Sequence, residues 1–302
     1  DPPDRHERAG VGFALTAYGF WGVLPVYFKL VAFAGPLEII AHRICWAVLV
    51  LGALLLIRRR QASLRHLAWS RVGWLALSAT LLSVNWCVFV WALLNERMLE
   101  TSLGYYINPL VNVLLGALFL GERLRPIQAL AVLLAGLGVL NELLAVGTFP
   151  WVGLALALSF GFYGLVRKKI AVDAVVGLGV ETMLLLPLAA GYLIWLGVHG
   201  DGTLVNGTRT EVQLLALGGP FTVIPLVSFA AAALRLPLTM LGFFQYVAPS
   251  LTLLLAVFVY GEPFRASHAV TFGCIWLALL IFSMEGLYHA RRQKVLLKRG
   301  FG

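Results

Sequence analysis

Three ionisable residues, His42, Arg43 and Glu181, lie inside long apolar stretches of the chain. A charge at the centre of a membrane-spanning helix costs roughly 2.5 to 3.5 kcal/mol, so each must find a partner or serve a function such as ion coupling. Glu181 is the only carboxylate well inside such a stretch and is the candidate for proton coupling. The alternative for Glu181 is an ion pair with the basic run at 167–169, and Arg43 can reach outward to the surface or pair with Glu38.

Two prolines, Pro109 and Pro249, lie near the middle of apolar stretches and 140 positions apart. Proline has no N–H, so the carbonyls of Tyr105 and Gln245 lose their helical donor. This is an ordinary kink or, where the break lines a cavity, a binding feature. We favour the cavity because polar residues recur at helical spacing beside both prolines. These residues are Ser102, Tyr105, Asn108 and Asn112 on the first stretch and Gln245 and Thr252 on the second.

Aromatic side chains with a polar edge accompany these polar residues. Such side chains can hold an apolar or zwitterionic solute while their N–H and O–H groups orient it. Helix packing is the alternative for any one of them, but Trp86, Tyr105 and Tyr163 lie too far inside their stretches for an interfacial belt. Besides the polar residues, the predicted cavity lining comprises Tyr18, Trp21, Asn85, Trp86, Phe89, Tyr163 and Phe244.

The composition indicates an all-α integral membrane protein. Of the 302 residues, 60% are hydrophobic and 12% are charged, against roughly 45–50% and about 25% in soluble domains. Ten spanning helices leave no room for an ATP-hydrolysing domain, and Lys and Arg placed between apolar stretches do not indicate nucleic-acid binding. No cysteine or histidine cluster is present, so no metal or cofactor is predicted. The predicted helices are 9–28, 36–57, 72–95, 101–121, 126–144, 150–169, 174–197, 212–234, 236–261 and 266–284.

The distribution of Lys and Arg predicts the orientation of these helices. Of the 23 basic residues, 18 lie in the termini and in the loops that would share their side, four lie in the opposite loops, and Arg43 lies within a span. Because cytoplasmic loops carry an excess of basic residues, we expect both termini in the cytoplasm.

An internal repeat divides the chain into two five-helix halves, 9–144 and 150–288, followed by a basic tail, 289–302. The run at 19–22 recurs at 161–164, and Tyr, Pro, Gly, Glu and Arg positions between 106 and 125 recur 140 residues later. An odd number of helices per half makes the second half enter the membrane from the opposite side. The sequence therefore predicts an inverted repeat, in which two halves alternate around a midplane site.

On these residues the chain resembles the drug/metabolite transporter superfamily, with two EamA-type repeats, and more narrowly its RarD branch. The strings that carry the resemblance are Glu38, His42, Arg43 and Trp46, and the runs 103–110, 163–169 and 241–246. The resemblance implies a carrier of a bacterial inner membrane that exports small organic solutes, with amino acids as the leading expectation. Efflux of a chloramphenicol-like drug is the alternative within the class.

Two other classes lack a positive signal in the sequence. A membrane-embedded enzyme would need clustered His or paired carboxylates within the spans, and a channel would need a continuous polar path or charged ring. The expected partners are therefore a small-molecule substrate and the lipid bilayer, without nucleic acid, and no oligomeric state is predicted.

Overall fold

A computed structural model describes residues 3–59, 67–95, 98–147, 149–261 and 266–299, in which no β-strand occurs. Ten helices follow one another along the chain. They are α1 (Pro3–Leu30), α2 (Pro36–Ile57), α3 (Trp69–Leu94), α4 (Met98–Leu120), α5 (Pro126–Val146), α6 (Trp151–Ile170), α7 (Ala174–Val198), α8 (Arg209–Ala233), α9 (Leu238–Val259) and α10 (Ala266–Arg299). A one-turn helix, Thr203–Asn206, lies between α7 and α8.

Eight of these helices are long and apolar enough to cross a membrane. The two others are α4, whose apolar part Gly104–Leu120 is shorter, and α6, which ends in three consecutive basic residues at 167–169. The prediction of ten helices is confirmed. Within the predicted basic tail at 289–302, α10 continues as helix to Arg299.

The helix ends repeat between the two halves. Gly121 follows α4 and Gly261 follows α9, with φ of +66° and +67°. A side chain is strained in this left-handed region, whereas glycine adopts it readily and so ends a helix sharply. At the start of α7, the Asp173 carboxylate accepts hydrogen bonds from the backbone N–H groups of Val175 and Val176, which caps the helix.

The packing of the helices follows an approximate two-fold relation. Helix α1 packs along α8 as α3 packs along α6, and α1 crosses α9 as α6 crosses α4. The pairs α2 with α7, α4 with α9, and α5 with α10 each join equivalent helices of the two halves. This is the arrangement expected of two inverted five-helix repeats. Helices α5 and α10 pack mainly on each other, away from the contacts of α1 with α8.

The helices that contain Pro109 and Pro249 differ in continuity. Helix α9 is interrupted at Tyr246, three residues before Pro249, and ends in a π-helical segment, Leu255–Val259. Helix α4 continues through Pro109 without interruption. The sequence placed equivalent breaks in both helices, whereas the structure interrupts only the second.

Candidate functional site

The end of the bundle that carries the N-terminus is closed by the largest buried cluster. The cluster takes residues from the first half of α1, the second half of α2, and the turns that join α6 to α7 and α8 to α9. All these segments lie at the same end because the helices alternate in direction. Fully buried members are Ala14, Ala17, Leu178, Ala232, Ala233 and Leu238. We call this end of the bundle the closed end.

An aromatic group lies on the inner side of this cluster. The Tyr163 ring stacks on Phe229 with centroids 5.8 Å apart, and Trp21 lies 5.5 Å from both Tyr18 and Phe160. Tyr18, Tyr163 and Phe229 are completely buried, whereas Trp21 and Phe160 are partly exposed. The group therefore forms a floor with two of its rings facing open space. Two predicted lining residues, Tyr18 and Tyr163, are covered in this conformation.

The space above this floor is identified by Tyr105 and Arg43. The Tyr105 side chain is 52% exposed, yet it lies close enough to Arg43 for an electrostatic interaction. Arg43 is itself enclosed by residues of α1, α3 and α8, so the exposed face of Tyr105 lies toward the interior of the bundle. We infer a space here and call it the central cavity; it lies toward the end of the bundle opposite the closed end, where a smaller buried cluster includes Tyr27, Val31 and Leu215.

The Arg43 side chain is held by neutral groups. Its Nε donates a 2.9 Å hydrogen bond to the Thr222 hydroxyl, and its guanidinium lies 5.5 Å from the Phe28 ring and 5.4 Å from the Trp86 ring. Gly218 provides the room, because a Cβ there would lie 2.7 Å from Arg43 Cγ and 2.8 Å from the Tyr27 hydroxyl. Arg43 therefore extends across the bundle from α2 to α8, neither outward to the surface nor toward Glu38.

Glu38 and His42, the other polar residues of α2, are engaged elsewhere. Glu38 accepts a 2.5 Å hydrogen bond from the backbone N–H of Thr203, and its carboxylate lies 3.8 Å from His42 Nε2. Both side chains are buried. They fix the loop between α7 and α8 to the start of α2.

Glu181 lies at the closed end in a buried ion pair. Its Oε1 is 3.4 Å from Arg167 Nη1 and accepts a 2.6 Å hydrogen bond from the Ser78 hydroxyl. Neither Glu181 nor Arg167 is more than 2% exposed. A Cβ at Gly177 would lie 1.8 Å from the guanidinium, so only glycine fits beneath it. The sequence left two interpretations of Glu181 open, and the structure shows the ion pair with the basic run 167–169.

A second polar contact crosses the closed end. Both carboxylate oxygens of Glu122 accept hydrogen bonds from the first backbone N–H groups of α9, at Leu238 (2.6 Å) and Thr239 (2.8 Å). Lys168 Nζ lies 4.0 Å from the same carboxylate and donates to the carbonyls of Ala233 and Leu236. Glu122 and Lys168 together hold the α8–α9 turn, and we call them the turn clamp.

The polar residues on α4 are divided between two environments. Tyr105 faces the central cavity, whereas Asn112 is fully buried and donates a 2.5 Å hydrogen bond to Gln245 of α9. Asn108 is 8% exposed, and its Oδ1 has no hydrogen-bond partner within the described residues. Close approach of the two helices is possible because Gly242 lies against Pro109, whose carbonyl a Cβ would meet at 2.7 Å.

The remaining predicted lining residues lie at the edge of the cavity or between helices. Asn85 is partly exposed and donates from Nδ2 to the Leu156 carbonyl (2.9 Å) and the Ser159 hydroxyl (3.0 Å) of α6. Phe89 and Phe244 are partly exposed and pack against buried clusters. Pro249 is buried, and the side chain of Ser102 lies outside the described residues.

Several residues of the site could not be identified from the sequence. Tyr27, Phe28 and Thr222 surround Arg43, but they lie in apolar stretches where aromatic and threonine residues are common in packing. Glu122 follows α4 and Lys168 belongs to a basic run, and neither position indicates a contact with the α8–α9 turn. Within the described ranges, no group of three or more His, Cys, Asp or Glu side chains could hold a metal ion.

Comparison with known proteins agrees with this architecture. The model of the EamA-like transporter family matches residues 8–141. An uncharacterized transporter of Vibrio cholerae serotype O1 is 48% identical over 296 residues, which cover 97% of this chain and 98% of the relative. Protein RarD of Escherichia coli K12 is 48% identical over 290 residues, covering 95% and 98%. The chloramphenicol-sensitive protein RarD of Pseudomonas aeruginosa is 35% identical over 296 residues, covering 96% and 98%.

A solved crystal structure shares the fold. It covers 91% of this chain and 97% of its own, with a TM-score of 0.72 at 21% identity. Ten helices in two inverted halves around a central cavity are typical of a membrane transporter. The chain belongs to the EamA-like transporter family, and the relatives that it matches over nearly their full length include RarD proteins.

Proposed function

We propose that the protein is a secondary carrier that exports small organic solutes, with amino acids as the leading substrate class, by alternating access in a bacterial inner membrane. The observation that carries the proposal is the contrast between the two ends of the bundle. Tyr105 is exposed and Arg43 lies beside the partly exposed Trp86, whereas Tyr18, Tyr163 and Phe229 are completely buried. An inverted repeat allows the halves to exchange these roles, so that the cavity opens to the other side.

The polarity of the cavity favours amphipathic solutes. Trp21, Phe160 and Trp86 offer aromatic faces, while Arg43 and the Tyr105 hydroxyl offer polar groups. Such a mixture suits a compact molecule with one apolar and one polar part, as an amino acid has. A neutral drug of the chloramphenicol type is the second candidate, because one full-length relative is named chloramphenicol-sensitive.

The proposed orientation places both termini in the cytoplasm. The support is the excess of Lys and Arg on the side of the termini, which includes the basic run at the end of α6. In this orientation the closed end faces the cytoplasm and the cavity opens outward. The two halves 9–144 and 150–288 are the proposed moving units.

Counterflow in proteoliposomes tests the function. Vesicles loaded with an unlabelled amino acid are diluted into a trace of the labelled compound, and uptake is compared with protein-free vesicles across a panel of amino acids and chloramphenicol. We expect transient accumulation of at least one amino acid. Repeating the assay with a pH gradient distinguishes proton coupling from facilitated exchange. If no compound in the panel exchanges faster than in protein-free vesicles, the proposed function is wrong.

A further inference from the structure

Arg43 has an unusual electrostatic environment for a cation within a membrane-spanning helix. Only Nε of its guanidinium makes a hydrogen bond within the described residues, and that bond goes to a neutral hydroxyl. The Nη atoms have no such partner there, and the Arg43 residue as a whole is partly exposed. Arginine offers five N–H donors in a planar fork, and the single bond to Thr222 leaves most of this capacity unused by the described residues.

The other charges of the interior are already neutralised or partnered. Arg167 pairs with Glu181, Lys168 contacts Glu122, and Arg235 donates to the Ala231 carbonyl while it lies over Phe13. Three further carboxylates, two within helices and Glu122 in the loop after α4, are engaged as well. Glu38 binds Thr203 and His42, Glu122 binds Leu238 and Thr239, and Glu142 binds Thr271 and lies near His268. No carboxylate in the described part of the chain forms an ion pair with Arg43.

Together these contacts form a site that lacks only its anion. We propose that Arg43 binds the carboxylate of the transported solute in the central cavity, so that the substrates are small organic acids, including zwitterions, with one carboxylate and an apolar part. This inference rests on the proposed carrier function and names its substrate class. A guanidinium binds a carboxylate through two parallel charge-assisted hydrogen bonds, which gives both strength and orientation.

The surroundings of the site favour a carboxylate over a phosphate. A single unpaired cation neutralises a single negative charge, whereas a phosphate monoester carries close to two charges at neutral pH. Phe28 and Trp86 flank the guanidinium at about the same distance, so they fix its plane and offer apolar surface beside it. Thr222 fixes the Nε edge of the fork.

Thermal unfolding of the purified full chain in detergent tests the proposal without requiring transport. The probes are 3-phenylpropionate, its amide, phenylalanine, phenylalanine amide and phenylphosphonate, each at millimolar concentration. We expect the two carboxylates to raise Tm and the two amides, which have the same shape, to leave it unchanged. Arg43→Gln should weaken the stabilising carboxylates by roughly ten- to a hundredfold, and Arg43→Lys should retain part of the effect because it keeps the charge without the fork.

Arg235→Gln is the matched control, because Arg235 also lies over an aromatic ring and makes one hydrogen bond but sits at the closed end. It should retain the response to carboxylates. Equal shifts for acid and amide, an undiminished carboxylate shift in Arg43→Gln, or no shift with any probe would overturn the inference. A larger shift with phenylphosphonate would also overturn it, in favour of a phosphate-bearing solute. The carrier function is tested independently by the counterflow assay. If the unaltered protein exchanges no compound in that assay, the carrier function is refuted, whatever the thermal shifts show.

Discussion

Arg43 and Glu181 occupy the same position in the two halves of the molecule. Each is the eighth residue of its helix, counted from Pro36 in α2 and from Ala174 in α7, and these two helices pack against each other. Their charges are opposite, and so are their environments. Arg43 faces the central cavity without a carboxylate partner, whereas Glu181 is completely buried in an ion pair.

The neighbours of the two charged residues correspond as well. Tyr27 and Gly218 lie close to Arg43, and Arg167 and Ser78 contact Glu181. Tyr27 and Arg167 are 140 positions apart, as are Ser78 and Gly218. One scaffold position therefore provides an open polar site in one half and a neutralised contact in the other.

The buried pair at the closed end should make a large contribution to stability when only one partner is removed. We expect Arg167→Met or Glu181→Gln to lower the free energy of unfolding by about 3–5 kcal/mol, because the remaining charge or polar group stays buried without compensation. Replacing both residues with Met should restore most of the loss. Thermal unfolding in detergent measures all three variants. Single variants as stable as the unaltered protein would contradict this role and leave Glu181 as a proton carrier to be tested by the pH dependence of transport.

The turn clamp should control access from the closed end. With Glu122→Gln, the α9 N-terminus loses a carboxylate and Lys168 loses its counter-charge, so we expect the closed end to open more often. A reporter cysteine at Ala232, which is fully buried, is placed in a background without the three native cysteines. Maleimide labelling from the side of the termini should increase several-fold. Arg125→Gln, which removes a contact with Glu285 between the start of α5 and α10, is the control and should leave the labelling unchanged.

The division of the α4 polar residues predicts two distinct phenotypes. Tyr105→Ala removes an exposed cavity contact, so we expect the ratio of transport rates for an aromatic and a small polar amino acid to change. Asn112→Ala leaves Gln245 buried without its donor, which should cost about 1–3 kcal/mol of stability and leave that ratio unchanged. Gln245→Ala should resemble Asn112→Ala, and the double variant should be less destabilised than the sum of the two. A changed ratio in Asn112→Ala would place the site deeper than proposed.

The unequal prolines predict unequal effects on the conformational exchange. Pro249→Ala supplies an N–H that can donate to the carbonyl of Gln245 and continue α9 across Tyr246. We expect this variant to lower the transport rates of all substrates by a similar factor. The reason is that the interruption serves the movement of the helix and not substrate recognition. Pro109→Ala should have a smaller effect, since α4 is already continuous. Initial rates for two chemically different substrates provide the measurement, and a larger effect at Pro109 would reverse the assignment.

The ten helices and their repeat could be predicted from the sequence because both depend on local patterns. The length of the apolar stretches fixes the number of spans, and Gly121 and Gly261 reappear with the same backbone conformation. The difference between Tyr18, Tyr163 and Tyr105 could not be predicted in this way. All three lie in similar apolar stretches, and only the packing of one end of the bundle determines which is exposed.

The environment of Arg43 was beyond prediction for a related reason. Its hydrogen bond joins residues 179 positions apart, from α2 to α8. Gly218 matters only because the side chains of Arg43 and Tyr27 lie against it. A single sequence records which residues are present but not which of them meet across the bundle. The ion pair of Glu181 with Arg167 was among the sequence alternatives because the two residues are only 14 positions apart.

The uncompensated charge of Arg43 makes the proposed transport cycle sensitive to membrane voltage. When the cavity is empty and exchanges from one side to the other, the positive guanidinium is exposed to the two aqueous phases in turn. Moving one elementary charge through 100 mV changes the free energy by about 2.3 kcal/mol. A bound monocarboxylate without an ammonium group cancels that charge, so the carrier loaded with such an anion would reorient independently of voltage, whereas a zwitterion leaves the net charge of Arg43 in place. Return of the empty carrier would be favoured or opposed by the resting potential. The charge on one side chain would thus decide which half of the cycle the cell drives electrically.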